Sequence, residues 1–346
     1  MFGLTRTKSR TPAVWSGTVP DHVIDLGWSA DGGFLAAAAS TGPVTVFDAK
    51  AGTGDVRLPG HVKGTLAVAW SPAGATLATA GKDRRVRLWS ATGEETACLE
   101  AATDWVERLA WHPTGKLLAA AAGKTVHLWD GSGAHLADLT DHASTVSDLS
   151  WRPGADTLGA LVYGGVMLWT LHGDAPPSFR LFPWKGSPLR MAWSPDGAML
   201  AHGNQDSTVH FWYAETGEDL QMSGYATKVR ELSWNPTSRY LATGGGSAAC
   251  VWDCAGTGPA GSKPLMLDGH EEAATLTAVA FQRKGHFLAS ADDAGRVCVW
   301  QPANKKQPLV GTVRGDAEAT ALRWSPDDKL LAVGFASGAV TVLSVS

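Results

Sequence analysis

The side chains in this sequence that could bind a metal or form disulfides are eleven histidines and four cysteines. Cys250 and Cys254 would lie about 13 Å apart between α-carbons on an extended segment. That is too far for a disulfide, or for a shared tetrahedral metal, without a bend. No HxxxH pair on a helix and no Cys/His pair has ligand spacing. We therefore expect buried free thiols, no metal site and no cofactor.

Motifs for catalysis are equally sparse. The sequence has no phosphate-binding glycine loop followed by Lys and Ser or Thr, and no Gly-x-Ser-x-Gly turn. The glycine run Gly244–Gly246 lies between two short apolar segments, as expected of a tight turn between strands. The sequence therefore does not predict an enzyme.

An internal repeat predicts the strands that carry these side chains. An aromatic residue followed by a turn recurs eight times, with steps of 42, 41, 40, 42, 41, 47 and 43 residues, which is the period of propeller blades. The eight positions are Trp28, Trp70, Trp111, Trp151, Trp193, Trp234, Phe281 and Trp324.

A second landmark follows each first one by 18 or 19 residues and ends a run of β-type residues. Between the two lies a short apolar segment such as 77–80, so each unit is predicted to contain strand, turn, strand, tight turn, strand and a weaker outer strand. The second landmarks are Phe47, Trp89, Trp129, Trp169, Trp212, Trp252, Trp300 and Leu343.

The second unit, with Gly60-His61, Trp70-Ser-Pro, Leu-Ala-Thr, Asp83 and Trp89, resembles a WD40 repeat, and the resemblance covers nearly the whole chain. It implies an all-β, eight-bladed propeller of four antiparallel strands per blade, as one domain over residues 1–346. It also implies a hydrogen-bonded tetrad of His61, Thr79, Asp83 and Trp89. The seventh unit keeps three of the four residues but has Ala294 where the aspartate is expected.

The last unit has no outer strand of its own. Residues 11–19, ahead of the first repeat, are expected to complete it, because an open ring would leave unpaired strand edges. The repeats are expected to begin near residues 22, 61, 103, 142, 186, 227, 270 and 317.

Charged residues occupy the position three before the first landmark in four successive repeats, and their signs alternate. Because the innermost strand faces the central channel, these residues are expected to form an ion-pair chain between blades. Self-paired charges would fix the register of the blades, whereas unpaired ones would form a polar channel site for a small ligand or ion. The four residues are Arg108, Asp148, Arg190 and Glu231.

One face of the propeller, here called the upper face, carries the loops that lead into each first strand and the turns from second to third strands. Large or charged side chains there are candidate partner-binding residues, and Trp and Arg are frequent binding hot spots. The alternative is that Trp105 and Trp184 pack into neighbouring blades. The candidates are His22, Lys82, Arg84, Trp105, Tyr163, Trp184, Lys185, Lys228, Arg230 and Asp292.

Composition bounds the class of partner. A net charge of −4 argues against a nucleic-acid binder, while the cations on the upper face favour an acidic peptide or protein. No apolar run is long enough to span a membrane. The basic residues Arg6, Lys8 and Arg10 precede no apolar stretch of a secretory signal, so we expect a cytoplasmic protein. The Ala- and Gly-rich, Lys-poor composition resembles that of high-GC bacterial proteins.

These observations favour a monomeric, non-enzymatic scaffold or adaptor that binds a protein or peptide on the upper face. We expect it to bind neither nucleic acid nor membrane. The alternative is a propeller that binds a small ligand or metal, including an accessory role in metal homeostasis, through the central channel or surface histidines.

Overall fold

The computed structural model describes residues 11–54, 56–101, 104–173, 175–256 and 258–345. The basic residues Arg6, Lys8 and Arg10 lie outside these ranges. Within them every helix-or-strand element is a β-strand, and no helix there is long and apolar enough to cross a membrane.

The strands of the first four blades, in chain order after β1 (Ala13–Thr18), are as follows. Blade 1 contains β2 (Val23–Trp28), β3 (Phe34–Ala39), β4 (Val44–Asp48) and β5 (Val56–Leu58). Blade 2 contains β6 (Thr65–Trp70), β7 (Leu77–Gly81), β8 (Arg85–Trp89) and β9 (Glu95–Glu100). Blade 3 contains β10 (Val106–Trp111), β11 (Leu117–Ala122), β12 (Thr125–Asp130) and β13 (His135–Leu139). Blade 4 contains β14 (Asp148–Trp151), β15 (Thr157–Val162), β16 (Gly165–His172) and β17 (Ala175–Pro183).

The remaining strands form the second half of the ring. Blade 5 contains β18 (Pro188–Trp193), β19 (Met199–Asn204), β20 (Val209–Tyr213) and β21 (Asp219–Met222). Blade 6 contains β22 (Leu232–Trp234), β23 (Tyr240–Thr243), β24 (Ala249–Asp253) and β25 (Leu265–Leu267). Blade 7 contains β26 (Leu276–Phe281), β27 (Leu288–Asp292), β28 (Arg296–Trp300) and β29 (Leu309–Arg314). Blade 8 contains β30 (Ala319–Trp324), β31 (Leu330–Phe335) and β32 (Ala339–Ser344).

Each blade is a four-stranded antiparallel sheet, and the order of strands in blades 1 to 7 follows the chain. The eighth sheet has the order β1-β32-β31-β30, with Trp15 opposite Val342. First strands of neighbouring blades contact one another all the way round, including β2 with β30. The eight sheets therefore form a closed ring around a central channel, and the all-β, eight-bladed propeller predicted from the sequence is confirmed.

The second strand of each blade lies between two neighbouring blades, which explains its composition. In β3 and β11 the runs Phe-Leu-Ala-Ala-Ala-Ala and Leu-Leu-Ala-Ala-Ala-Ala are almost wholly buried. A strand covered on both faces needs apolar residues at every position rather than at alternate ones. Small side chains also let adjacent twisted sheets approach closely.

The tryptophan that ends the first strand links each blade to the one before it. Trp70 Nε1 donates to Gly27 O (3.0 Å), and Trp151 Nε1 donates to Ala110 O (2.9 Å). The same bond recurs at Trp28, Trp111, Trp193, Trp234 and Trp324. Phe281 has no indole, and there the backbone N–H of Phe281 donates to Ser233 Oγ (2.9 Å) instead. The repeated tryptophan therefore sets the spacing between blades as well as filling the core.

Candidate interaction face and channel

The upper face is held in place by backbone hydrogen bonds between blades. Val146, Val229 and Leu276, each just before or at the start of a first strand, donate to carbonyls in the second-to-third-strand turn of the preceding blade. The acceptors are Gly123 (2.9 Å), Asn204 (3.0 Å) and Gly246 (2.9 Å). These bonds hold the entries to blades 4, 6 and 7 against the preceding blade.

The tetrad predicted for blade 2 is a continuous hydrogen-bonded chain. His61 Nδ1 lies 2.7 Å from Asp83 Oδ1, and His61 Nε2 lies 2.8 Å from Thr79 Oγ1, which accepts from Trp89 Nε1 at 2.9 Å. Burial lowers the pKa of His61 and outweighs the opposing effect of Asp83, so the ring is neutral. Nδ1 then donates to the carboxylate and Nε2 accepts from the threonine.

Blade 7 has the same chain, which corrects two expectations from the sequence. His270 Nδ1 lies 2.7 Å from Asp292 Oδ2, His270 Nε2 lies 2.7 Å from Ser290 Oγ, and Trp300 Nε1 donates to that oxygen at 2.8 Å. The carboxylate thus comes from Asp292, two residues before Ala294. Because Asp292 is 0% exposed, it is a structural residue and not part of a partner-binding surface.

Other blades keep a polar partner for the third-strand tryptophan with different side chains. In blade 4, Trp169 Nε1 donates directly to His142 Nε2 (3.1 Å), whose Nδ1 donates to Lys124 O (3.0 Å). In blade 6, Trp252 Nε1 donates to Tyr225 OH (2.9 Å). The interaction is therefore retained where the sequence signature is lost.

Blade 5 departs from this arrangement. Trp184 stands where the tetrad histidine would be, and its ring centroid lies 3.8 Å from that of His210, which in turn lies 5.4 Å from that of His202. The indole nitrogens of Trp184 and Trp212 are buried and have no hydrogen-bond partner among the described residues. Burial, aided by the positive charge that His210 can carry, lowers the pKa of His202 to about 3. Trp184 is therefore part of the blade 5 interior, as in the alternative considered for it, and is not an exposed hot spot.

In the channel, Asp148 connects the first strands of blades 3, 4 and 5. Its carboxylate accepts from Arg190 Nη1 at 3.1 Å and from the backbone N–H of Met191 at 2.9 Å, and Arg108 Nε lies 3.5 Å away. Desolvation and the neighbouring Arg190 lower the pKa of Arg108. Both charged contacts and the backbone bond cross between blades, so this cluster fixes their register.

The fourth member of the predicted chain, Glu231, lies apart from it. In the part of the chain that the structure describes, no ion pair joins Glu231 to Arg190; its Oε2 accepts from the backbone N–H of Arg230 (3.2 Å). Burial raises the pKa of the Glu231 carboxyl. The predicted chain is wrong at this end, because Arg108, Asp148 and Arg190 of blades 3, 4 and 5 pair with one another without it.

A second channel pair was not predicted. Arg323 Nη2 lies 3.0 Å from Asp25 Oδ1, which joins blade 8 to blade 1, and Asp25 Oδ2 accepts from the backbone N–H of Val68 (3.1 Å). Arg323 is one residue before its landmark rather than three. Because residues two apart on a strand share a face, examining both positions would have found it.

The channel encloses about 1020 Å³ and has a wall of mixed charge. Two carboxylates of this wall, those of Asp148 and Asp25, are bonded to arginines of neighbouring blades.

The remaining upper-face candidates differ in exposure. Arg84, Lys185, Lys228 and Arg230 are exposed, while His22 and Lys82 are half-buried. Tyr163 is 61% exposed and Trp105 is 47% exposed. Val62, which the sequence did not single out, is 68% exposed at the loop before β6.

The cysteines offer no reactive site in the interior. Cys250, Cys254 and Cys298 are buried and free. Burial raises their thiol pKa values to about 11, about 12 and about 11. These thiols are protonated at neutral pH and therefore poor nucleophiles.

Comparison with known proteins places this geometry in a family. The family model for WD40, described as WD domain, G-beta repeat, matches residues 55–90, 93–130, 183–213, 219–253 and 261–301, more than half of the chain. The chain belongs to the WD40 family. The matched segments fall on blades 2, 3, 5, 6 and 7 of the propeller.

Several curated WD40 relatives were found. Protein HIR1 of Candida albicans is 23% identical over 349 residues, which is 98% of this chain and 31% of that protein. The probable cytosolic iron-sulfur protein assembly protein 1 of Mycosarcoma maydis is 34% identical over 116 residues, 32% of this chain and 21% of that protein. The chromatin assembly factor 1 subunit FAS2 homolog of rice, Oryza sativa, is 38% identical over 68 residues, 20% of this chain and 14% of that protein. The chain thus spans less than a third of the length of each of these relatives.

A solved structure shares the fold. The computationally designed Ika8 protein superposes with a TM-score of 0.81 at 21% sequence identity, covering 96% of this chain and 99% of that chain. At this level of identity the similarity shows the fold alone.

Proposed function

We propose that this WD40 propeller is a non-enzymatic scaffold that binds a partner protein or peptide on its upper face, around Trp105. One observation carries the proposal. All sixteen tryptophans lie within the described residues, and fifteen of them are buried or half-buried. Trp105 alone is exposed, at 47%.

An exposed tryptophan suits a binding anchor. Trp105 precedes β10 in the loop into blade 3, and Lys82 Nζ, from the turn of blade 2, lies 5.2 Å above its ring. A rigid aromatic side chain loses little conformational entropy when a partner covers it, which is why tryptophan is common among hot spots. Val62 and Tyr163, on the flanking blades, add exposed apolar surface to the same face.

The charges near Trp105 support an acidic segment as the partner. Blade 2 presents Lys63, Lys82 and Arg84 on the upper face, and none of the three forms an ion pair among the described residues. Blades 7 and 8 present acids there instead. The exposed acids of these two blades on this face are Glu271, Glu272, Asp293, Asp316 and Glu318. Like charges would repel an acidic segment from blades 7 and 8 and attract it toward blade 2.

The names of the relatives support a role in assemblies. They include a chromatin assembly factor subunit and a subunit of the target of rapamycin complex. This support is analogy at the level of the fold and does not identify a partner.

The test compares wild type with Trp105→Ala and Leu181→Ala as baits for proteins from the native cell extract. Leu181 is the matched control because it is also 47% exposed but lies on the outer strand β17. Loss of a central hot spot costs about 2 kcal/mol or more, or roughly 30-fold in affinity. We expect Trp105→Ala to lose a partner that wild type and Leu181→Ala both retain.

Two outcomes would contradict the proposal. One is a partner retained equally by Trp105→Ala and wild type, which would place the site off this surface. The other is a partner lost only by Leu181→Ala, which would place it on the rim. Circular dichroism and thermal unfolding of each variant show whether the fold is intact.

A further inference from the structure

Three side chains on the outer half of blade 3 come together at the rim. His127 Nδ1 and His135 Nε2 each lie 2.7 Å from Asp138 Oδ1. All three ligand atoms lie within 4.8 Å of one another, the one such group of three in the part of the chain that the structure describes. Two imidazoles and a carboxylate are the ligand types that Zn²⁺ uses in three-ligand sites.

A β-bulge places His135 in this group. Residues three apart on a regular strand point to opposite faces of the sheet, so His135 and Asp138 would not normally meet. The register between β12 and β13 shifts between Leu128 and Trp129, which leaves one extra residue on β13. The extra residue turns His135 to the face that carries Asp138 and His127.

The same bulge occurs in blade 2, where it holds a different pair. There the register between β8 and β9 shifts between Leu88 and Trp89. Arg87 and Glu95, which correspond to His127 and His135, form an ion pair of 2.9 Å. The bulge therefore brings the two corresponding positions together in both blades. In blade 3 both positions are occupied by histidine, whereas in blade 2 one of them is an arginine, which does not bind metals.

The group combines a fixed inner ligand with an accessible mouth. The His127 side chain is 7% exposed, whereas those of His135 and Asp138 are 52% and 43% exposed. His135 and Asp138 can therefore be reached by an ion from solvent, while His127 holds the inner position.

We propose that His127 Nδ1, His135 Nε2 and the Asp138 carboxylate bind one divalent transition-metal ion, with Zn²⁺ as the reference ion and water completing the coordination. Metal–ligand distances of about 2.0–2.2 Å put tetrahedral ligand atoms roughly 3.3 Å apart. The group therefore has to open by about half an ångström from its hydrogen-bonded arrangement. His135 and Asp138 are exposed enough to make that movement.

Binding changes the tautomer of both imidazole rings. In the metal-free arrangement each imidazole donates an N–H to Asp138, so on binding those protons move to the other nitrogen of each neutral ring. His127 Nε2 has no hydrogen-bond partner among the described residues, so its contact with Asp138 alone sets the ring tautomer.

The experiment titrates Zn²⁺ into the protein, prepared without a histidine tag, by isothermal titration calorimetry. His135→Gln and Asp138→Asn each remove one exposed ligand without disturbing the core. His286→Gln removes an exposed histidine of blade 7 and serves as the matched control. Co²⁺ is then used as a spectroscopic probe, because its visible absorption reports low-coordinate binding to nitrogen and oxygen.

We expect one saturable Zn²⁺ per chain in wild type and in His286→Gln, and binding weakened at least about 10-fold in the other two variants. The proposal is overturned if wild type shows no saturable binding. It is also overturned if His135→Gln and Asp138→Asn bind as tightly as wild type, or if His286→Gln weakens binding equally. Because the readout is binding of the ion alone, the result is independent of the partner proposed for the upper face.

Discussion

Asp292 of blade 7 should be among the most stabilising carboxylates of the propeller. Its Oδ2 lies 2.7 Å from His270 Nδ1, and its Oδ1 accepts from the backbone N–H of Arg296 at 2.7 Å. Asp292 and the His270 side chain are both 0% exposed. Asp292→Ala would therefore leave two buried N–H groups without partners and without water.

The magnitude follows from these contacts. A hydrogen bond to a charged group contributes about 1.5–3 kcal/mol, and a stranded buried donor costs about 1–3 kcal/mol. Removing Asp292 also removes the cost of burying its own charge, which offsets part of the loss. We therefore expect Asp292→Ala to lower the free energy of unfolding by about 3 kcal/mol. Asp83→Ala in blade 2 should cost less, because the Asp83 side chain is 11% exposed and its backbone contact with Arg85 N is 3.3 Å long.

Urea denaturation at neutral pH, followed by tryptophan fluorescence, measures the effect. Asp293→Ala is the matched control, since Asp293 is the exposed neighbour and accepts from the backbone N–H of Thr275 alone among the described residues. The double variant Asp292→Ala/Ala294→Asp restores a carboxylate at the position that Asp83 occupies in blade 2, and it should recover part of the lost stability. The reasoning is refuted if Asp292→Ala is no more destabilising than Asp293→Ala.

Two further predictions concern titratable side chains in blade 5 and in the channel. The pKa of His202 is lowered to about 3, so the folded protein resists protonation that the unfolded chain accepts below about pH 6.5. The contribution of the neutral His202 to the free energy of unfolding should therefore be fully present above that pH and fall as pH drops toward 3, by up to about 1.4 kcal/mol per pH unit. In urea denaturation between pH 7 and pH 4, the free energy of unfolding of His202→Leu should fall less steeply with decreasing pH than that of wild type. In the channel, Asp148→Asn should cost about 2 kcal/mol because it weakens bonds to Arg190 and to the backbone N–H of Met191. Glu231→Gln should change the unfolding free energy by less than about 0.5 kcal/mol, because Glu231 has no ion-pair partner among the described residues; equal effects in the two variants would contradict this assignment.

The sequence by itself determined the architecture. Tryptophan and turn landmarks recur at the blade period, and alanine-rich second strands lie between them. These are local patterns, so they hold for each blade separately and require no knowledge of its neighbours. The blade count and the strand order could be predicted for that reason, and the tetrad residues of blade 2 followed from the resemblance to WD40 repeats.

Only the tertiary structure decided which side chains on different strands come within bonding distance of one another. In blade 7 the carboxylate comes from position 292, two residues earlier than in blade 2, where the equivalent position is Gly81. A Cβ at Gly81 would lie 2.4 Å from His61 Cβ, so blade 2 has no room for a side chain there. Sequence alignment could not detect this exchange, because both positions lie within reach of the same histidine.

The same reason explains the other differences. The sequence left open whether Trp184 is exposed or packs into a blade, and the structure places its ring 3.8 Å from that of His210 inside blade 5. In the channel, Arg323 pairs with Asp25 whereas Glu231 has no ion-pair partner among the described residues, because pairing depends on the direction of each side chain across neighbouring strands. At the rim of blade 3, a single bulge turns His135 toward Asp138. Spacing along the chain fixes which strand carries a residue, whereas the packing of adjacent sheets and their bulges fixes which atoms come within bonding distance.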